Sequence, residues 1–68
     1  MGIGENLKRI REEKKITQAE LSKLIGVKQP FLCQVERGTK ALSLPLACQI
    51  VKILDCSLYD IVEENKPA

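Results

Sequence analysis

Sixty-eight residues with 44% apolar side chains and a net charge of +2 allow one domain with one small core, largely aliphatic because the chain holds one Phe, one Tyr and no Trp. The absence of histidine removes the commonest general base and metal ligand. Three cysteines without C-x-x-C spacing (Cys33, Cys48 and Cys56) give neither a zinc pattern nor a disulfide framework and read as reduced cytoplasmic thiols.

No signal peptide and no membrane-length apolar run is visible, and no nucleophile–base pair suggests an enzyme. No metal, cofactor or small-molecule ligand is expected. In chain order, Ile3, Leu7 and Ile10 recur at i, i+4, i+7 and predict a first helix over about residues 3–14 with its buried stripe on that side. Arg11 stands one turn after Leu7, on the core side, where a lone charge is expensive. Lys8, Arg9, Lys14 and Lys15 lie away from the stripe.

Thr17 and Glu20 form a T-x-x-E capping box, so a second helix is expected over 18–25, with Leu21 and Ile25 on its buried side. Gln18 opens that helix, where its amide and the free backbone N–H groups suit a phosphate. Gly26 permits the positive φ of a sharp bend. A third helix follows over 29–37, with Pro30 tolerated in its first turn.

At about 100° per residue, Leu32 and Val35 fall on one side of this third helix with Phe31 on their flank. Gln29, Pro30, Cys33, Gln34 and Arg37 fall on the other. That outer face holds amides and a guanidinium but no carboxylate. Glutamine complements adenine edges, and arginine complements guanine or phosphate. A merely solvated helix face reads the same way when taken alone.

Gly38 ends the third helix, and Lys40 in the following loop is placed to hold a phosphate. Ser43 caps a fourth helix over 44–54, interrupted only by Pro45, Gln49 and Lys52 and therefore expected to be buried all round as the central core helix. Ser57 and Asp60 give a weaker cap for a short last helix over 58–62, with Tyr59 as its most exposed ring. Residues 1–62 make one domain, and 63–68 are expected to fray as an acidic tail. The charge is uneven: residues 1–59 carry ten Lys/Arg against six Asp/Glu, and residues 60–68 one against three. A mildly basic body suits a nucleic-acid binder.

The segment from Gln18 to Gly38 resembles the helix-turn-helix of the phage repressor and Cro family, also called the xenobiotic response element (XRE) family. The matching residues are Gln18, Leu21, a small Ser22 at the helix contact, Ile25, Gly26, Val27, Leu32, Val35 and Glu36-Arg37-Gly38. The likeness extends from Leu7 to about Val62. It implies an all-α five-helix bundle, the lambda repressor-like DNA-binding domain. It also implies a stand-alone bacterial or phage transcription regulator, repressor or controller, that binds operator duplex as a homodimer.

The resemblance further implies that Arg11 and Glu36 pair inside the fold. The third helix becomes the reading helix, with Gln29, Gln34, Cys33 and Pro30 toward the bases and Gln18, Lys28, Arg37 and Lys40 toward phosphates. An isologous contact around Ile53, Leu58 and Tyr59 is expected to join two copies. Three residues depart from the family: Lys28 where a capping Ser or Thr is usual, Pro30 where a hydrogen-bonding side chain is common, and Asp55 where glycine is usual. The competing class is a protein-interaction module, such as an antitoxin, whose main partner is a protein.

Overall fold

The computed structural model describes residues 2–62, and among them every regular element is an α-helix: α1 (Ile3–Glu13), α2 (Gln18–Ile25), α3 (Gln29–Arg37), α4 (Leu44–Leu54) and α5 (Leu58–Val62). The expected tail, 63–68, lies outside the described residues. Each helix boundary has a local cause. The Thr17 hydroxyl accepts the Glu20 N–H at 3.0 Å while the Glu20 carboxylate accepts the Thr17 N–H at 2.8 Å, which starts α2 with both halves of a capping box. Gly26 at φ 77° and Gly38 at φ 88° close α2 and α3 in the left-handed conformation that costs glycine least.

Asp55 closes α4 in the same conformation, at φ 56° and ψ 49°, so the glycine-to-aspartate departure is built into an ordinary left-handed cap rather than a different turn. Ser57 and Asp60 exchange reciprocal bonds at 3.1 and 3.2 Å that start α5. The first helix ends at Glu13, one residue short of the expected Lys14. The chain turns at Lys15, φ 61°, and the Ile16 N–H reaches back to the Arg11 carbonyl at 3.1 Å.

The core is formed by Leu7 and Ile10 of α1, Leu21 and Ile25 of α2, Leu32 and Val35 of α3, Ala47, Ile50 and Leu54 of α4, and Ile61 of α5. Each large aliphatic chain so buried contributes about 1.5–3 kcal/mol. Two expectations are corrected. Ile3 begins the α1 stripe but stays 38% exposed, and the small Gly4 is buried beside it. Gly4 lies so close to α3 that an added Cβ would run into the backbone carbonyl oxygens of Val35 and Glu36.

The fourth helix is not buried all round. It buries only the face of Ala47, Ile50 and Leu54, leaves Leu44 65% exposed, and half-buries Leu46, Val51 and Ile53. It packs on α2 and α5, while α1 packs against α3 and α5, and α2 against α3 and α4. A five-helix domain this small has too few neighbours to surround α4, so its second apolar stripe faces partly outward.

Candidate nucleic-acid interface

The third helix, α3, is held from behind by a charged pair. Arg11 Nε donates to Glu36 Oε2 at 2.7 Å and Arg11 Nη2 to Glu36 Oε1 at 3.1 Å, a bidentate contact between side chains that are 8% and 3% exposed. Arg11 Nη1 also donates to the Ile16 carbonyl at 2.8 Å, so one guanidinium ties α1, the α1–α2 loop and α3 together. The hydrogen bond to Glu36 raises the Arg11 pKa above its ordinary value; desolvation opposes this, and Coulombic attraction from Glu36 and Glu12 adds to the rise. No buried side-chain nitrogen or oxygen among the described residues lacks a hydrogen-bond partner.

Glu36 faces inward, and this leaves the outward side of α3 without a carboxylate. Gln29, Pro30, Gln34 and Arg37 are exposed there, and Cys33 is half-buried between them. The helix starts at Lys28 without a side-chain cap; in its first turn Pro30 has no N–H, and the Phe31 and Leu32 N–H groups donate to the Lys28 carbonyl at 3.0 and 3.2 Å. Lys28 and Lys40 are exposed at its two ends. Lys40 follows a tight C-terminal wrap in which the Gln34 carbonyl accepts from the Thr39 N–H at 2.9 Å and the Thr39 hydroxyl at 3.1 Å.

Gln18 is placed differently from the other expected phosphate contacts. It is half-buried, and its Nε2 donates to Glu36 Oε1 at 2.9 Å. Its own Oε1 accepts from Gln29 Nε2 at 3.4 Å. The residues gathered on this face are therefore Gln18, Lys28, Gln29, Pro30, Cys33, Gln34, Arg37 and Lys40, with Arg11 and Glu36 behind them.

The residues expected at a contact between copies lie elsewhere. Ile53 and Leu58 are half-buried and Tyr59 is 67% exposed, on the last turn of α4 and on α5. Asn6 was not singled out from the sequence. It is buried on α1 and its Nδ2 donates to the Ile61 carbonyl at 2.7 Å, tying α5 to the bundle. Its signal was present: Asn6 precedes Leu7 and stands one turn before Ile10, on the inner side of the helix.

Cys56, half-buried near the start of α5, has its thiol pKa pushed up by burial, then by Asp60 and Asp55, with Lys14 opposing. Among the described residues no group of three His, Cys, Asp or Glu side chains is gathered as metal ligands would be, and no helix is long and apolar enough to cross a membrane.

The family described as Helix-turn-helix matches residues 7–61. The chain is 34% identical over 64 residues to the antitoxin PezA of Streptococcus pneumoniae, covering 94% of this chain but 40% of that protein; the chain spans less than half the length of the curated relatives it matches. Its fold superposes on the P22 c2 repressor, solved in complex with a synthetic operator, with a TM-score of 0.85 at 28% identity over 96% of this chain and 98% of that one. The restriction-modification controller protein C.AhdI of Aeromonas hydrophila gives a TM-score of 0.81 at 27% identity, covering 87% of this chain and 89% of that one. With a capped α2, a glycine turn and an outward polar α3 on a five-helix bundle, the chain belongs to the phage repressor and Cro (XRE) family of helix-turn-helix DNA-binding transcription regulators.

Proposed function

We propose that this chain binds a specific duplex operator as a homodimer, with α3 of each copy in the major groove, and regulates transcription by occupying that site. The observation that carries the reading is the outward face of α3: two amides and a guanidinium without a carboxylate, on a helix fixed from behind by the Arg11–Glu36 pair. Gln29 and Gln34 are the base readers, Cys33 lies against the groove floor, and the Pro30 ring offers at most contact with a thymine methyl. Lys28, Arg37, Lys40 and the N-terminus of α2 at Gln18 meet phosphates. Ile53, Leu58 and Tyr59 form the two-fold contact. The P22 c2 repressor, solved on a synthetic operator with nearly the same fold, supports the groove placement. Such a regulator works in the cytoplasm of a bacterial or phage-infected cell.

Selection from random duplexes tests this. Gln29→Ala or Gln34→Ala should flatten the preference at one or two operator positions, each worth about 1–3 kcal/mol of discrimination. Lys40→Ala should weaken all sequences alike and reduce the slope of log affinity against log salt by about 0.9. If both glutamine variants return the wild-type consensus, α3 is not the reader. A second reading, a module whose main partner is a protein, is favoured by the identity to PezA alone. It takes over if the wild-type chain enriches no duplex sequence.

A further inference from the structure

The last turns of α2 and α4 leave a groove of about 420 Å³ between them. Leu24 of α2, 61% exposed, borders it on one side and the half-buried Ile53 of α4 on the other. The buried side of α2 is already taken by Leu21 and Ile25, so Leu24 is left to this surface. Gln49, Lys52 and Ile53 stand at i, i+3 and i+4 and line the groove from one face of α4. Lys23 and Lys52 are exposed beside them. No carboxylate lines the groove, and neither lysine makes an ion pair with a described residue.

Two kinds of macromolecular anion could meet these lysines, the phosphates of a duplex and the carboxylates of a protein. The apolar walls separate the two. A phosphate backbone would neutralise the lysines and leave Leu24 and Ile53 in water, whereas a protein side chain would cover both. Position separates them as well. The proposed phosphate contacts Gln18 and Lys40 stand at the start of α2 and ahead of α4, while Leu24 lies about 9 Å along the α2 axis from Gln18. We infer that this groove docks an acidic amphipathic helix of a partner protein. An apolar side chain of that helix seats between Leu24 and Ile53, and carboxylates on its flanks meet Lys23 and Lys52. The inference is independent of the base reading assigned to α3. Ile53 also belongs to the proposed two-fold contact, so the test leaves Ile53 unchanged.

The probe is an acetylated and amidated helical peptide of about 15 residues, built of Ala and Glu with Leu at i and i+4 on one face. Its twin carries Lys in place of Glu. Each is titrated into the isotope-labelled full chain, and the backbone amide shifts are read by NMR. The acidic peptide should bind with a Kd of about 1 mM or tighter, with shifts centred on residues 23–26 and 49–53. The basic twin should not bind. Leu24→Ser should weaken the acidic peptide about tenfold, and Lys52→Glu about fivefold. Lys23→Glu combined with Lys52→Glu should reverse the choice of peptide. All three positions are exposed, so the variants should keep the circular dichroism of the wild type.

If neither peptide binds, or both bind equally, the groove selects no acidic helix and the inference is overturned. If the double reversal lowers affinity for a mixed-sequence duplex and its salt slope as Lys40→Ala should, the lysines hold phosphates, which also overturns it. Loss of self-association by Leu24→Ser in sedimentation equilibrium would make the occupant a second copy and overturn it equally. Failure of the glutamine variants to change the operator consensus would leave each of these readouts as it stands.

Discussion

At the scale of single residues, the domain is most sensitive to substitution where charge is buried. Arg11 and Glu36 lie in a site with little water, and each is tolerable only because the other is there. Removing one partner should cost about 3–5 kcal/mol, since a buried charge is then left uncompensated. A domain of this length has a total stability of about 3–10 kcal/mol, so Arg11→Met and Glu36→Leu should each melt at far lower urea. The double variant should recover much of the loss, and additive single losses would disprove the coupling. Gly4 and Asn6 matter for a different reason. Gly4 lets α1 approach the α3 backbone, and Asn6 satisfies the Ile61 carbonyl inside the bundle.

At the scale of elements, α3 works as a platform because its two faces have separate duties. Leu32, Val35 and Glu36 are buried, while Gln29, Pro30, Gln34 and Arg37 are exposed on the other side. Cys33 reports on that division, since a thiol half-buried among the proposed readers should be reachable while the core is not. In a Cys48→Ser background, alkylation of Cys33 with a maleimide should abolish operator binding in gel shifts while the circular dichroism of the helices persists. Cys56 should react far more slowly, being half-buried with its thiol pKa pushed up. Operator binding that survives complete Cys33 modification would move the interface off this face. The fourth helix shows the opposite arrangement. Its face of Ala47, Ile50 and Leu54 is buried, while Leu46, Val51 and Ile53 are only half-covered within the chain.

At the scale of the whole molecule, the proposed two-fold pair would supply one reading helix from each chain and place the two about one DNA turn, roughly 34 Å, apart. The proposed contact around Ile53, Leu58 and Tyr59 predicts that Tyr59→Glu keeps the fold, because the ring is 67% exposed. The same change should weaken self-association at least tenfold in sedimentation equilibrium. The wild type should saturate an operator at two chains per duplex; one chain per duplex would refute the dimer.

The sequence alone determined where helices begin and end, because those signals are local. Thr17 with Glu20, Gly26, Gly38 and Ser43 each act within a turn of their own position, and the helix limits agree with them almost throughout. The resemblance placed Arg11 and Glu36 opposite each other, 25 residues apart, which periodicity could not do. Only the tertiary structure decided which apolar residues are covered, since that depends on how many neighbours surround a helix and not on the helix itself. Hence α4, apolar nearly all round, leaves Leu44 exposed and Leu46, Val51 and Ile53 half-buried. The turning of Gln18 toward Glu36 and Gln29 likewise exists only once α2 and α3 are packed, because a side-chain amide has no local preference for which end it offers.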